Sequence, residues 1–304
     1  MTSRPLQILK TASLAARALP LTALNPLAER AGASVGPKLM ADKASMLDRH
    51  LSRIQHDGNG QAVSASDGFG SYARYWVDLF RLPSLSETQI DRGFSFVGYE
   101  HIEAARAAGF GPILLLPHLG SWEWAAAWLG RIANVPVTAV VERLDPADVF
   151  EWFTEVRASW GVDVVPLGAE AFGRLAKAAK DGSIICLLAD RDVGGTGIEV
   201  EFFGEKTSLP VGPAVLSSRT GSPLIPTAVY FSGHQRICRV GEPIWPDDVQ
   251  LSASGRSLGQ RRRPRDRYQA LTQRFVHQLE VLIAEAPEQW HLLEPNWPSD
   301  HNGR

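Results

Sequence analysis

A histidine and a glutamate lie five positions apart, at a place in the sequence where they could act as an acid–base pair. His118 follows an apolar run, residues 112–117, and Glu123 comes after a turn that Gly120 permits. We expect Glu123 in the first turn of the next helix, close enough to hydrogen-bond the imidazole. Such a carboxylate would fix the histidine tautomer and stabilise the imidazolium while the ring acts as a general base. The alternative is a structural histidine, because pairs at this spacing also arise by chance.

The segment after His118 has two further features. Backbone N–H groups at the predicted helix start, near Gly120 and Ser121, could face developing negative charge. Three tryptophans then crowd the predicted helix, at positions 122, 124 and 128. They could wall an apolar channel, but large residues at helical spacing are more often core.

Five charged residues follow other predicted strands and helices and are candidates for binding substrate. Arg143 and Arg157 carry guanidinium groups, whose forked donors suit phosphate or sugar oxygens; the alternative is an ion pair with a nearby acid. Asp190, Arg191 and Asp192 follow an apolar strand and could line the same cleft; the alternative is a turn held by aspartate side chains. No His or Cys cluster accompanies the two carboxylates, so we expect no metal site.

Short apolar runs alternate with helical segments in the middle of the chain. The predicted strands are residues 112–117, 136–141, 162–166, 183–189, 198–203, 223–231 and 236–240. Helices are predicted at about 121–133, 146–160 and 170–181. This alternation is typical of βαβ units, so the predicted fold class is α/β, with a mostly parallel central sheet flanked by helices. Ligands of such sheets gather beyond the carboxyl ends of the strands, which is where His118 lies.

Helical patterns precede and follow this region. Residues up to about Leu82 have helical character, and residues 71–82 place Tyr75, Leu79 and Leu82 on one face. A last helix is predicted at roughly 266–286. We therefore expect one domain over residues 1–304, in which a helical layer, residues 1–82, faces a membrane and residues from about 90 to 295 form the catalytic core.

Composition narrows the function classes. The 304 residues are 44% hydrophobic and carry 31 basic and 33 acidic side chains, which favours a globular fold and argues against a nucleic-acid binder. Cys186 and Cys238 do not make a disulfide framework, and their apolar settings suit a reducing compartment.

Two segments are locally basic. Residues 1–30 contain four basic side chains and one acidic one, and charges and prolines interrupt the apolar run, so we reject a membrane-spanning helix. Three interpretations stay open for this segment: a cleaved targeting peptide, an amphipathic helix on an anionic membrane, or a helix packed on the domain. Residues 252–267 carry six arginines and form either a solvated loop or an anion clamp.

These residues together resemble a known family. His118 and Glu123 are similar to the H-x4-D/E motif of glycerolipid acyltransferases, in the branch that includes the bacterial lipid A late acyltransferases. Arg143, residues 157–161 and residues 190–192 resemble the next motifs in the family's order. Further resembling blocks are residues 202–204, 210–226 and 287–293, so the resemblance spans roughly residues 90–295.

The resemblance implies an O-acyltransferase that uses acyl-CoA as co-substrate and no other cofactor. Within the branch the sequence is most similar to enzymes acting on phosphatidylinositol mannosides, which implies a mannose hydroxyl as acceptor, a palmitoyl-type donor, and a peripheral position on the cytoplasmic face of the cell membrane. His118 would be the general base, with Glu123 orienting it. Other glycolipid or lysophospholipid acceptors, a thioesterase, and a non-catalytic lipid-binding protein are the alternatives.

Overall fold

The computed structural model describes residues 3–54, 63–248 and 264–301. Within these ranges the helices are α1 Arg4–Ala16, α2 Leu21–Leu39, α3 Ala41–Arg53, α4 Ala65–Arg81, α5 Glu87–Arg92, α6 Tyr99–Ala107, α7 Trp122–Arg131, α8 Ala147–Ala158, α9 Ala171–Lys180, α10 Gly212–Thr220 and α11 Pro264–Ala284. The strands are β1 Phe94–Val97, β2 Ile113–Leu116, β3 Val137–Val141, β4 Val162–Pro166, β5 Ile184–Leu188, β6 Ile198–Phe202, β7 Glu205–Leu209, β8 Leu224–Ser232 and β9 Gln235–Val240.

Seven strands form one sheet in the order β1-β9-β8-β2-β5-β3-β4. All neighbours are parallel except β8 and β9, which the two-residue turn at Gly233 and His234 joins as an antiparallel hairpin. The predicted α/β class with a mostly parallel sheet is therefore confirmed. The predicted helices after β2, β3 and β4 are confirmed as α7, α8 and α9.

The sheet differs from the sequence prediction in two places. The predicted strand at 198–203 exists as β6, but it pairs with β7, which the sequence prediction omits, in a separate two-stranded antiparallel sheet. Strand β1, which the sequence prediction omits, adds a parallel edge strand beside β9. Its four residues alternate between buried and exposed positions and give too short a pattern to stand out.

Apolar layers cover both faces of the sheet. In β2 all four residues are buried, and alternate side chains enter different clusters: Ile113 and Leu115 pack with α9 and α11, whereas Leu114 and Leu116 pack with α6, α7 and α8. A strand that buries both faces has a continuous apolar sequence, and this is why the apolar run at 112–117 predicts a strand.

The N-terminal helical layer is confirmed as α1 to α4. Gly32 and Gly36 of α2 allow close approach to Phe69 of α4, since a Cβ on either glycine would lie 2.5 Å from that residue. The basic N-terminal segment is two helices rather than one: α1 ends at Ala16, and α2 begins after Pro20. No helix in the described ranges is long and apolar enough to cross a bilayer.

The C-terminal helix α11 is also confirmed, two residues from its predicted bound at each end. Most of the arginine-rich segment, including Arg256 and residues 261–263, lies outside the described residues. Arg267, in the first turn of α11, donates hydrogen bonds to the Pro246 carbonyl and the Asp247 carboxylate. One arginine of the segment therefore binds within the chain.

Candidate active site

The candidate site lies at the carboxyl ends of β2 and β5. These strands are parallel neighbours, with Leu116 of β2 opposite Leu188 of β5. His118 and Asp190 each follow their strand by two residues, so the two side chains emerge side by side at the same edge of the sheet. The loop after β3, which carries Arg143, reaches the same edge next to β5. This is the position where parallel sheets place their ligand sites.

His118 is paired with Asp190, not with Glu123. The imidazole Nδ1 lies 2.7 Å from Asp190 Oδ1, and the backbone N–H of His118 donates to Asp190 Oδ2 at 2.9 Å. Since a carboxylate only accepts, Nδ1 carries a proton, and in the neutral ring Nε2 presents its lone pair. No described residue hydrogen-bonds Nε2, and the His118 side chain is 32% exposed, which leaves this nitrogen accessible to a substrate.

Asp190 is fully buried and ionised. Burial alone would raise its pKa, but the charge and hydrogen bonds of His118, together with a hydrogen bond from the Trp290 indole, hold the pKa below its ordinary value. A buried carboxylate held in this way stabilises an imidazolium when the ring takes a proton. The pair therefore has the geometry of a general base and its orienting acid.

The predicted contact between Glu123 and His118 is wrong. Glu123 does lie in the first turn of α7, but both of its oxygens accept from Arg157, at 2.6 Å and 3.2 Å, and Tyr75 Oη lies 3.5 Å from Oε1. The turn at Gly120 directs Glu123 inward between α7 and α8, where its side chain is 1% exposed. Gly120 has a positive φ of 57° and no room for a Cβ, which would lie 1.8 Å from the Val229 carbonyl oxygen.

The predicted oxyanion donors are also occupied. The N–H of Gly120 donates to the Gln289 carbonyl at 2.9 Å, and that of Ser121 donates to the Val229 carbonyl at 3.1 Å. Because both groups already have backbone partners, neither is available for developing negative charge. The Ser121 hydroxyl is likewise committed to Asp78 in the interior.

The two candidate arginines have different surroundings. Arg157 is only 7% exposed, and it is enclosed by its pairing with Glu123 and by the rings of Trp122 and Phe153. Burial would lower its pKa, but the Glu123 carboxylate raises it above the ordinary value. Arg143 is exposed, and no described residue forms an ion pair or hydrogen bond with it. Of these two, Arg143 is the accessible cation.

The acidic turn after β5 divides its roles. Asp190 holds His118, whereas Asp192 accepts hydrogen bonds from the Gly197 N–H at 2.7 Å and the Ser208 hydroxyl at 3.2 Å. Asp192 therefore stabilises its own loop, as expected for the alternative interpretation, a turn held by aspartate side chains. Arg191 between them is partly exposed, and within the described ranges no partner engages its guanidinium.

Aromatic residues that the sequence reasoning missed lie beside His118. The His291 N–H donates to the His118 carbonyl at 2.7 Å, and its ring contacts Tyr72 and Tyr75, with centroids 5.3 Å and 5.8 Å away. Burial and then the nearby charge of His118 lower the pKa of His291 to about 3, so this ring is neutral at physiological pH. The only sequence signal was the block at 287–293, which contains both Trp290 and His291.

An apolar cavity lies behind the helix that follows His118. Its wall comes mainly from α7, which contributes Trp122 and Glu123, and from β2; Arg157 of α8 also lines it. Cys186 lines it as a free thiol whose pKa burial raises to about 12, so the group is neutral. Of the three tryptophans of α7, Trp124 is core and Trp122 lines this cavity.

Comparisons with known proteins agree with the resemblance seen in the sequence. Residues 8–299 match the family described as bacterial lipid A biosynthesis acyltransferase. A phosphatidylinositol mannoside acyltransferase of Mycobacterium tuberculosis is 38% identical over 235 residues, which cover 76% of this chain and 69% of that protein. The enzyme of the same name from Mycolicibacterium smegmatis is 37% identical over 261 residues, or 84% and 79% of the two chains. The chain therefore belongs to the bacterial lipid A biosynthesis acyltransferase family.

Proposed function

We propose that this protein transfers a palmitoyl-type acyl group from acyl-CoA to a mannose hydroxyl of phosphatidylinositol mannosides. The observation that carries the proposal is the His118–Asp190 pair, with Nε2 open at the carboxyl edge of the sheet. The acceptor is inferred from the names of the two mycobacterial relatives.

In the proposed mechanism the acceptor itself is the nucleophile. His118 Nε2 takes the hydroxyl proton while the mannose oxygen attacks the thioester carbonyl. The new C–O bond forms, the C–S bond breaks, and the imidazolium returns the proton to the departing thiolate of coenzyme A. Asp190 stabilises the imidazolium, the role that the sequence assigned to Glu123. No covalent enzyme intermediate and no cofactor besides acyl-CoA are needed.

Two accessible arginines are proposed to bind phosphate groups. Arg143 and Arg191 follow β3 and β5 at the edge that carries His118, and their planar guanidinium groups suit phosphate oxygens. Glu123 and Arg157 support the wall of the cavity behind α7, which at about 20 Å³ has room for a water molecule but not for an acyl chain.

The N-terminal helices are proposed to rest on the cytoplasmic face of the cell membrane. Large apolar side chains on α1, α2 and the adjoining turns are exposed, and Leu14 and Leu39 are 66% and 79% accessible. Basic residues of α1, Arg4 and Lys10, accompany them. A helix pair that combines exposed apolar and cationic side chains suits an anionic bilayer surface.

The proposal is tested by incubating the purified protein with radiolabelled palmitoyl-CoA and three acceptors: phosphatidylinositol mannosides, a lysophospholipid and a lipid A precursor. We expect label on the mannosides from wild type. We expect His118→Ala to reduce transfer about 10²–10⁴-fold while palmitoyl-CoA binding persists. His277→Ala, a substitution of an exposed histidine on α11, is the control and should leave transfer unchanged.

Each other outcome identifies a different function. Label found only as free fatty acid indicates a thioesterase, and label on another acceptor changes the substrate. Binding without turnover indicates a lipid-binding protein. Near wild-type transfer by His118→Ala would overturn the assignment of the base.

A further inference from the structure

A segment near the C-terminus crosses back over the candidate site. We name residues 289–300 the C-terminal strap. Its backbone pairs with the turn that carries the base: the Gly120 N–H donates to the Gln289 carbonyl at 2.9 Å, and the His291 N–H donates to the His118 carbonyl at 2.7 Å. Trp290 lies between these two contacts, opposite Leu119. The strap therefore holds the backbone on either side of His118.

The same strap holds Asp190 at two points. The Trp290 indole Nε1–H donates to Asp190 Oδ2 at 2.8 Å, and the Asn296 side-chain amide donates to the Asp190 carbonyl at 3.0 Å. Trp290 is fully buried, so water cannot replace its indole donor. With the His118 N–H and the indole both on Oδ2, the other oxygen of the carboxylate is directed at Nδ1 of the imidazole.

The far end of the strap is anchored to the N-terminal helical layer. Asp300 accepts from the N–H groups of Asn296 and Trp297 at 2.9 Å and 3.0 Å, and from the Arg53 guanidinium at 2.7 Å. His50 of α3 donates from Nδ1 to the Leu292 carbonyl at 2.8 Å. These contacts fix the strap from both directions, so that Trp290 has a rigid support.

We propose that Trp290 is a positioning residue, which orients the Asp190 carboxylate toward His118 and so sets the tautomer and direction of the base. This proposal rests on the proposed function, because it assigns Trp290 a role in the same proton transfer. The physical reason is that a carboxylate with one donor fewer on Oδ2 can rotate, and a misdirected carboxylate no longer fixes the imidazole.

The chain provides a matched control seven residues away. Trp297 belongs to the same strap and is 1% exposed, but its indole donates to the Phe202 carbonyl at 3.2 Å and does not contact Asp190. Trp290→Phe and Trp297→Phe remove the same atoms from equally buried sites. A purely structural role for Trp290 predicts that the two variants behave alike.

The experiment measures kcat, KM for palmitoyl-CoA and the proton NMR signal of the His118 Nδ1–H. We expect Trp290→Phe to lower kcat about tenfold to a hundredfold, with KM within about twofold of wild type. The low-field Nδ1–H signal should weaken or shift. At a temperature where each variant is fully folded, Trp297→Phe should retain the wild-type Nδ1–H signal and the wild-type kcat. Equal kinetics and equal spectra for the two variants would overturn the proposal.

A second variant tests the proposal even if Trp290→Phe does not fold. Asn296→Ala removes the other strap contact to residue 190 from a partly exposed position. It should reduce kcat by roughly threefold or more, because the support of residue 190 is weakened. A wild-type kcat together with an unchanged Nδ1–H signal would contradict the proposal that the strap positions Asp190. His118→Ala separates the two hypotheses: if that variant is inactive and Trp290→Phe matches Trp297→Phe, only the positioning role fails.

Discussion

The carboxylate of Asp190 accepts three hydrogen bonds, and two of them come from His118. Such a site keeps the carboxylate charged and directs it at one ring nitrogen. Glu123 is also a buried carboxylate, but its charge is balanced by Arg157. The two acids therefore have different partners: Asp190 binds the proposed base His118, whereas Glu123 pairs with Arg157 and holds α7 against α8.

Substitution of Asp190 should affect chemistry. We expect Asp190→Asn to lower kcat about 10²–10⁴-fold with little change in KM, because an amide no longer stabilises the imidazolium or fixes the Nδ1–H tautomer. Steady-state kinetics with palmitoyl-CoA check this. A kcat within a factor of two of wild type would show that His118 acts without Asp190.

Substitution of Glu123 should affect stability. Glu123→Gln leaves the Arg157 charge buried without its counterion, and breaking a buried pair in this way destabilises by about 3–5 kcal/mol. Urea denaturation measures the loss, and kcat is measured where the variant is fully folded. We expect kcat there to stay far above that of Asp190→Asn; an equal loss would restore Glu123 to the catalytic machinery.

At the scale of elements, α1 and α2 bury one part of their surface and expose another. The glycines of α2 pack tightly on α4, and α1 is joined to the start of α8, where the Ser3 N–H and hydroxyl donate to Asp148. The outward side keeps large apolar residues in contact with water. Helices docked this firmly can present that side as a fixed surface.

We expect this surface to control vesicle binding. Leu14→Ser and Leu39→Ser should each weaken binding to anionic vesicles by about tenfold, since burying a leucine is worth about 1.5–3 kcal/mol. Binding by wild type should also fall as salt is raised. Val281→Ser on α11, at a residue that is 58% exposed, is the control. Co-sedimentation measures all three variants, and equal binding would remove α1 and α2 from the membrane model.

At the scale of the whole molecule, two histidines connect the N-terminal helices to the C-terminal strap. His50 of α3 bonds to the Leu292 carbonyl, and the His291 ring lies 2.9 Å from the Ser71 hydroxyl of α4. Burial lowers the pKa of both rings, that of His291 to about 3. These two rings are therefore protonated less readily in the folded protein than in the unfolded chain.

Stability should fall as the pH drops below about 6.5. The unfolded histidines take up protons there and the folded ones do not, so each lowered pKa removes at most about 1.4 kcal/mol per pH unit. Asp190 and Asp300 also stabilise the fold, because their folded pKa values are lowered from about 4, but that stabilisation is lost only as the pH falls below about 4. Urea denaturation between pH 7.5 and 5.5 measures the slope. His291→Asn should flatten it and the surface control His277→Asn should not; equal slopes would contradict the assignment.

Much of the fold follows from local patterns. The apolar run of β2, the alternating strands and helices, and the helical character up to Leu82 are all set by neighbouring residues, and all are present in the structure. The pairing of β6 with β7 was harder to predict from the sequence, because a five-residue strand with one buried face fits a parallel sheet or a hairpin equally well.

The sequence by itself determined the α/β class, the position of His118 beyond an apolar strand, and the family. Each depends on residue type and short-range order. Only the tertiary structure decided which acid serves His118, because that depends on β5 lying beside β2, and strand order is fixed by packing across the whole sheet. The same holds for Trp290, 100 residues from Asp190 in sequence and 2.8 Å from it in the fold.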